Sequence, residues 1–508
     1  MSAQPPSPGT HHGSAPAPSG PAVAEVGRHR LLVAAWLCGG VVLCALAGML
    51  TATSYRFDWQ LEVVQMPAAT LAAGMALAGL LPLALLPLIR RSLALPPSAQ
   101  RGILGLVLVA GALARLVLLP SHPALEDDFN RYLWEGALVV HGMSPYGVTP
   151  SQARAAKPST TLGRLAQDAG PVLARVNHPD MASTYPPVAQ AAFALAHLVA
   201  PWSLDAWRLV CLACDAACLA LVILLLGQAG LSPLWAALYW WNPLVLKELV
   251  NSAHMDGLVV ALTLGALLAS ARGRHGTAAA VLALALGAKL WPVLLAPLVL
   301  RPLYPSARRL SAAAAVLAAA MALWLWLSSA PASGVESGYL TYARHWTTNS
   351  ALFPVLESLG RLVLSPWNAE GLAWAVARAA AALALGMLAL GVARKPISGP
   401  LDLMRRATAI VTALVLLSPA QFPWYLVWLT PFVCFQPHWA LLVPGVTVPL
   451  YYLDFHLIAR GHGALFRDWV VWIIWVPVWV SLTYATMYAS RDGGFLPRGA
   501  DKGRGKPG

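Results

Sequence analysis

Long apolar runs separated by short polar segments dominate this chain, and they predict an all-α bundle that spans a membrane. The runs at 31–52, 68–89 and 103–119 are each about 20 residues long, which is the length of helix that crosses a hydrocarbon core. Later runs are shorter or carry Pro and charged residues, so we expect some broken or re-entrant segments. They lie at 187–200, 207–226, 235–250, 258–270, 277–300, 310–330, 370–391, 407–418, 425–435, 439–453 and 469–489. The pattern predicts roughly 12–14 membrane segments.

The polar stretches between and beyond these runs predict the domain organisation. Residues 1–27 are rich in Pro, Ser, Gly and Ala without periodicity, which is typical of a disordered tail. Residues 28–490 are predicted to form a single transmembrane domain, and residues 491–508 a basic tail. The longest polar stretches predict outer loops at about 120–185 and 331–365, the first with amphipathic surface helices.

Composition and charge support a multi-pass membrane protein. Of 508 residues, 58% are hydrophobic and only 11% are charged, whereas soluble domains carry about 25% charged residues. The net charge of +13 is dispersed in short clusters between apolar runs. We therefore expect no nucleic-acid partner, because no continuous basic face is visible.

The basic clusters also predict the orientation, since positively charged loops stay in the cytoplasm. Both termini are then cytoplasmic, and the loop at 120–185 is outside. The same scheme places 251–257, 331–365 and 418–424 on the outer face, so four elements are expected to converge there. The clusters are Arg28, Arg30, Arg90, Arg91, Arg272, Arg274, Arg308, Arg309, Arg394, Lys395, Arg405 and Arg406.

Three consecutive carboxylates, Glu126, Asp127 and Asp128, follow the third apolar run. Asp127 and Asp128 are the candidate catalytic pair, one as the general base for an acceptor hydroxyl and the other as its hydrogen-bonding partner. Adjacent carboxylates also raise one pKa toward working pH. A solvated acidic loop end is the alternative. Because Arg131 and Tyr132 follow at helical spacing, we expect a short amphipathic helix on the membrane surface to hold the pair.

A second polar group interrupts the apolar runs at 241–257. Lys247 and Glu248 lie in an apolar helix, and His254 and Asp256 follow its end. Such residues beside a broken helix are typical of a substrate cavity, although a self-contained ion pair and a helix cap would look the same. His254 and Asp256 alone are too few ligands for a metal site. We therefore predict no metal ligands and no cofactor, without excluding a divalent cation.

Lys289 is the only charged residue between Thr277 and Leu300. An unpaired ammonium group inside a membrane costs a few kcal/mol, which a lipid phosphate would offset. The alternative is that its long side chain reaches the cytoplasmic interface.

Two later outer segments add candidate substrate-binding residues. Arg344 and His345 are suited to phosphate or sugar, or belong to a surface helix resting on lipid headgroups. Trp424 and Tyr425 are suited to stacking on a sugar, or anchor the chain in an aromatic belt.

The order of these motifs resembles the C-type superfamily of integral-membrane glycosyltransferases, which use polyprenyl-phosphate-linked sugars. Within it, the chain looks most like the bacterial polyprenol-phosphate-mannose-dependent mannosyltransferase-like group. The resemblance spans about residues 100–430, and each motif is weak alone. The motifs are DDFNRYLWEG (127–136), HGMSPY (141–146), TYPPVAQ (184–190), WNPLVLKELVNSAHMDG (241–257), AKLWPVLLAP (288–297) and SPAQFPWYLVW (418–428).

The resemblance implies transfer of a hexose, with mannose favoured, from a polyprenyl-phosphate donor to a lipid or glycan acceptor. The reaction would invert the sugar and take place on the extracytoplasmic face of the bacterial inner membrane, among membrane lipids. The family's acidic base corresponds to Asp127 or Asp128, and the resemblance leaves open which. Tyr146 and Tyr185, in the matched motifs, join the candidate substrate-binding residues. The alternative function is a transporter or flippase for lipid or lipid-linked sugar, which would also have broken helices and buried charges but usually has internal repeats.

Overall fold

The computed structural model describes residues 20–329 and 337–492, and within these ranges the chain forms helices joined by loops, without a β-strand. An isolated parallel bridge joins Thr348 and Ala420. The predicted all-α polytopic bundle is confirmed. The first helix begins at Gly20, inside the predicted tail, and the last ends at Asp492. The rest of the two predicted tails lies outside the described residues.

In the described ranges, eight helices are long and apolar enough to cross a membrane, or nine if one bent pair counts as a span. The eight are His29–Phe57, Ala68–Ser92, Pro97–Leu118, Leu204–Gln228, Ala307–Leu327, Glu370–Ala393, Trp439–Ile458 and Gly463–Met487. Other predicted segments appear as the shorter apolar helices Pro187–Val199, His275–Ala288 and Trp291–Leu303. The expected 12–14 segments therefore include pieces too short to span alone.

The helices are often interrupted, and the bounds show where. The α-helices are Gly20–Ser54, Ala68–Ala78, Leu80–Ser92, Pro97–Leu118, Asp128–Val140, Pro150–Arg154, Thr161–Ala169, Pro171–Ala174, Pro187–Val199, Leu204–Gln228, Ala237–Trp240, Pro243–Val245, Asp256–Ala271, His275–Ala288, Ala296–Leu300, Ala307–Leu327, Gly338–His345, Leu352–Leu364, Ala373–Ala393, Pro400–Leu417, Thr430–Val433, Val443–Thr447, Leu453–Ile458, Gly463–Leu465 and Val471–Asp492. The 3₁₀ segments are Tyr55–Phe57, Val63–Gln65, Pro233–Ala236, Trp291–Leu295, Arg301–Leu303, Ser365–Trp367, Glu370–Leu372, Pro423–Trp428, Trp439–Leu441 and Val448–Tyr452. Two π-helical segments are Leu246–Asn251 and Phe466–Val470.

The bent pair, here called the broken span, consists of Pro243–Asn251 and Asp256–Ala271. The helix axis bends by 117° between the two halves. Its first half ends in the π-helical turn, and Ala253 in the gap has a positive φ of 55°. A break at this depth exposes backbone carbonyls that need donors. The Trp207 indole donates to the Ala253 carbonyl at 2.7 Å, and Arg208 donates to the Asn251 carbonyl at 3.0 Å. The helix break predicted after Glu248 is confirmed.

Arg208 and Asn251, which lie at this gap, also hold the start of the first outer loop. Arg208 also donates to the carbonyls of Leu119 at 2.8 Å and Ser121 at 2.6 Å. The Asn251 side chain donates to Ser121 Oγ at 2.8 Å and to the His122 carbonyl at 2.7 Å. The carboxylates that follow in the chain are therefore brought against the broken span.

A second break occurs at Lys289, as predicted. The helix His275–Ala288 stops because Lys289 is extended, with φ −161° and ψ 148°. A 3₁₀ turn starts at Trp291, where Pro292 removes a backbone donor.

The helix Asp128–Val140, here called the acidic helix, differs from its prediction. It does not lie on a surface, because its residues from Asn130 to Leu138 are buried. Pro187–Val199 packs closely against it at Gly136, where an added Cβ would overlap the Phe193 carbonyl. The expected surface helix of this loop is Thr161–Ala169, which buries one face only.

Candidate active site

A cavity of about 710 Å³ lies where the four predicted outer elements meet. Its walls come from the first outer loop, the start of Asp256–Ala271, the helix Gly338–His345 and the turn 418–424. The segments at 57–66, 289–291 and 451–455 complete it. The predicted convergence of the four elements is thus observed.

One wall carries the two aspartates and an asparagine that joins them. The Asn177 amide donates to Asp127 Oδ1 at 2.8 Å and to Asp128 Oδ1 at 2.7 Å. Asp127 is open to the cavity, and Asp128 is partly buried. Enclosure by protein atoms, followed by the negative charge of Asp128, raises the pKa of Asp127 to about 7, although the Asn177 hydrogen bond lowers it.

The Arg131 guanidinium holds the loop around Asn177 in place, because its N–H groups donate to carbonyls of that loop. Its guanidinium donates to the carbonyls of Asn177 at 2.5 Å, His178 at 3.0 Å and Met181 at 3.2 Å. It also lies 3.4 Å from the buried Glu135 carboxylate, whose pKa is raised by burial. His178 has a positive φ of 44°, so this loop is held in a strained conformation.

Two of the three predicted tyrosines approach Asp128, and the third holds one of them in place. The hydroxyls of Tyr132 and Tyr185 each lie 3.5 Å from Asp128 Oδ2, and their rings meet edge to face at 5.1 Å. Both line the cavity. Tyr146 does not line it; its hydroxyl donates to the Tyr185 carbonyl at 2.8 Å and so fixes the neighbouring tyrosine.

The wall formed by the second helix break carries an ion pair. Lys289 Nζ donates to Asp256 Oδ1 at 2.7 Å, and the Trp428 indole donates to the same oxygen at 2.5 Å. The ammonium lies 4.4 Å from the Tyr425 ring centre. The Asp256 side chain is 1% exposed and that of Lys289 21%, so Lys289 reaches the cavity and not the cytoplasmic interface.

Aromatic rings line the cavity between these two walls. Trp424 stacks on Phe422 at 4.3 Å, and Tyr425 stacks on Trp428 at 4.2 Å. The hydroxyls of Tyr425 and Tyr342 lie 2.7 Å apart. Trp424 and Tyr425 therefore form part of the cavity wall, where flat apolar rings are available for a sugar.

Behind the acidic wall lies a buried cluster, comprising Glu126, Lys247, Glu248, His254 and Tyr452. Lys247 Nζ lies 3.4 Å from Glu126 and 3.3 Å from Glu248, and it also contacts the Tyr452 hydroxyl. His254 Nε2 lies 3.4 Å from Glu126 Oε2, and the imidazole stacks on Trp424 at 4.2 Å. Of the five residues, Glu126 reaches the cavity. The cluster supports the wall from behind.

The predicted residues of the later outer segment are not seen at the cavity wall, and two residues of the site were missed. Arg344 is exposed and does not line the cavity, and the His345 side chain lies outside the described residues. Sequence reasoning missed Asn177 and Tyr452. An amide in a long polar loop and a tyrosine in an apolar run carry no local signal of function. Glu126 had a signal, since it belongs to the acidic triplet.

The arrangement brings two carboxylates, a cation and flat aromatic rings into one cavity, and a comparison with known families identifies the class of protein. A family model described as alpha-(1->6)-mannopyranosyltransferase, N-terminal domain, matches residues 26–305. The match covers more than half of the 508 residues and includes Asp127, Asp128 and Lys289. Searches of curated proteins and of solved structures each give no significant match. A transferase family favours glycosyl transfer over transport. The chain belongs to the alpha-(1->6)-mannopyranosyltransferase (MptA/B) family of membrane glycosyltransferases.

Proposed function

We propose that this protein transfers a mannosyl residue from a polyprenyl-phosphate-linked donor to a hydroxyl of a lipid or glycan acceptor. The reaction takes place on the extracytoplasmic face of the bacterial inner membrane. The observation that carries the proposal is one cavity with Asp127 and Asp128 on one wall and Lys289 on another. Transfer from a phosphate leaving group requires a base for the acceptor and a positive charge for the phosphate. Family membership supports mannose as the sugar.

Asp127 is the general base in this proposal. It is open to the cavity, and among its described hydrogen bonds the Asn177 amide occupies one oxygen, leaving the other for an acceptor hydroxyl. Asp128 is more buried, with the Asn177 amide at one oxygen and two tyrosine hydroxyls near the other. Asp128 is therefore the positioning partner. Asn177 keeps the two carboxylates in a fixed relation.

Lys289 binds the donor phosphate. An ammonium group has three N–H donors, and the described contacts of Lys289 use one of them, on Asp256. The Tyr425 and Trp428 rings beside it stabilise positive charge through their faces. The cavity is partly apolar, so the attraction between the ammonium group and a phosphate is less screened by water there.

The reaction that fits this arrangement is a single displacement. The acceptor oxygen attacks the anomeric carbon of the mannosyl group while Asp127 takes its proton. The bond from that carbon to the phosphate oxygen breaks, and polyprenyl phosphate leaves with its charge facing Lys289. Trp424 and Tyr425 offer their faces to the sugar.

Separate Asp127→Asn and Asp128→Asn variants test this assignment. Mannosyl transfer from a polyprenyl-phosphate-mannose donor to extracted membrane glycolipid would be measured with purified protein. Asp127→Asn is expected to lower kcat by about 10²- to 10⁴-fold, the usual contribution of a general base. Asp128→Asn is expected to have a smaller effect. Glu357→Gln, in an exposed ion pair with Arg361, is the matched control.

The possible results test the identity of the base and the identity of the sugar donor independently. Full activity of Asp127→Asn would show that another group takes the proton. Equal transfer from a sugar nucleotide and from the lipid-linked donor would overturn the choice of polyprenyl phosphate. If Asp127→Asn loses transfer while Asp128→Asn does not, and if the wild type requires the lipid-linked donor, both the assignment of the base and the assignment of the donor are supported.

A further inference from the structure

The buried cluster behind the acidic wall contains three atoms arranged as metal ligands. Atoms of Glu126, Glu248 and His254 lie within 4.8 Å of one another. His254 Nε2 is 3.4 Å from Glu126 Oε2 and 3.7 Å from Glu248 Oε2. Ligands at about 2.1 Å from a tetrahedral zinc ion are about 3.4 Å apart, so these spacings match one nitrogen and two carboxylate ligands.

His254 is the observation that points to a ligand. Its side chain is 1% exposed, and both ring nitrogens lack a hydrogen-bond partner among the described residues. The imidazole is held by longer contacts to carboxylates and by stacking on Trp424, and buried ring nitrogens without a close hydrogen bond are unfavourable. Nδ1 faces Asp128 Oδ2 at 3.9 Å, while Nε2 faces the two glutamates. A histidine between a carboxylate and a metal is the usual arrangement of a metal-bound imidazole.

Lys247 shares one of the candidate ligand oxygens, because its Nζ lies 3.3 Å from Glu248 Oε2, the oxygen that also faces His254. It contacts Glu126 through Oε1, and Tyr452 donates to that same oxygen at 3.2 Å. Of the described contacts, Glu126 Oε2 has the one to His254. In Glu126, one carboxylate oxygen therefore faces the lysine and the other faces the imidazole, whereas a cation on Glu248 Oε2 would replace the contact of that oxygen with Lys247.

The charges around the cluster favour an additional cation. The carboxylates Glu126, Asp127, Asp128 and Glu248 lie in the cluster or directly beside it, and Lys247 is the ammonium group that contacts them. A divalent ion would remove most of this excess negative charge.

We propose that Glu126, Glu248 and His254 bind a zinc-like divalent cation. The ion joins the first outer loop to the broken span. Because Glu126 directly precedes Asp127 and Asp128, binding fixes the position of both aspartates. The three ligands come from segments that Arg208 and Asn251 already hold together.

Measuring the metal content of the purified protein tests this proposal directly. Untagged full-length protein in detergent would be stripped with a chelator and equilibrated with Zn²⁺, or with Co²⁺ as a spectroscopic probe. We expect one bound ion per protein and a visible Co²⁺ absorption typical of tetrahedral coordination. His254→Gln and Glu248→Gln are expected to weaken binding by at least about tenfold. His141→Gln, an exposed histidine of the first outer loop, is the matched control and should bind as the wild type does.

Glu126→Gln provides a second ligand variant should Glu248→Gln fail to fold, since Glu126 reaches the cavity. Absence of binding to the wild type would overturn the proposal. So would equal binding by the wild type, His254→Gln and Glu126→Gln. The readout needs no turnover, so a zinc result stands apart from the outcome of the mannosyl-transfer assay.

Discussion

The pair formed by Lys289 and Asp256 allows phosphate binding to be separated from folding. Asp256 is almost fully buried, and it accepts from Lys289 at 2.7 Å and from Trp428 at 2.5 Å. Replacing Lys289 alone by Met leaves a buried carboxylate without its cation, which costs about 3–5 kcal/mol of stability. The lower end applies here, since the Lys289 side chain is 21% exposed and water screens the pair. The single variant would therefore lose activity for two reasons at once.

The double variant Lys289→Met with Asp256→Asn removes both charges. The Asn side-chain oxygen still accepts the Trp428 indole hydrogen, so no buried charge remains unpaired. Removing both charges of a buried ion pair often leaves stability unchanged. We expect an unfolding free energy within about 1 kcal/mol of the wild type. Donor binding loses one hydrogen bond between charged groups, about 1.5–3 kcal/mol. The expected loss in kcat/KM is about 10- to 150-fold.

Two measurements on the same preparations decide the matter. Thermal unfolding in detergent reports stability, and steady-state transfer from the lipid-linked donor reports function. The control is Glu357→Gln with Arg361→Gln, which neutralises an exposed pair. A double variant with normal unfolding and kcat/KM within about twofold of the wild type would refute phosphate binding by Lys289. A double variant as unstable as the single one would refute the account of the pair.

Two further predictions concern the acidic helix and the loop beside it. Asn177→Leu should lower kcat by about tenfold or more, because both aspartates lose a charge-assisted hydrogen bond, and wild-type kcat would contradict this role. Gly136→Ala should destabilise the protein by about 1–3 kcal/mol, because its Cβ would overlap the Phe193 carbonyl. Gly386→Ala, where nothing lies within 4 Å, is the matched control and should be neutral or slightly stabilising. Equal unfolding temperatures for the two alanine variants would count against the close helix contact.

The sequence predicted the features that depend on local pattern. The apolar runs indicated the bundle, and the charges inside them indicated the breaks after Glu248 and at Lys289. A charge in an apolar run is costly, so it needs a partner, and at Lys247, Glu248 and Lys289 the partners lie beside a helix break. Together with the orientation of the basic clusters, this was enough to bring four outer elements to one cavity.

Contacts between distant residues could not be predicted in this way. Asn177 is 50 residues from Asp127, and Tyr452 is 326 residues from Glu126. Such pairs depend on how helices pack, which no local pattern determines. The three-ligand cluster was missed for the same reason, since His254 and Glu248 are neighbours in sequence but Glu126 belongs to another element.

The acidic helix shows a different limit. An apolar stripe indicates that one face is buried, but it does not tell a membrane surface from a protein partner. Here Pro187–Val199 covers one side and the rest of the first outer loop covers another, so the helix is buried in protein. The prediction that it lies on the membrane surface was wrong for this reason.

The two helices that end at the cavity are short, and this has a consequence for the surrounding lipid. Asp256–Ala271 has 16 residues and His275–Ala288 has 14, so they are about 24 Å and 21 Å long. A typical hydrocarbon core is about 30 Å thick. In the proposed orientation, with the turn at Arg272 and Arg274 at the cytoplasmic interface, the Lys289 ammonium lies several Å below the outer edge of the acyl chains. A lipid headgroup reaches that depth more easily where the bilayer is thin, so acyl-chain length in the host membrane becomes a determinant of how readily the proposed lipid-linked donor loads.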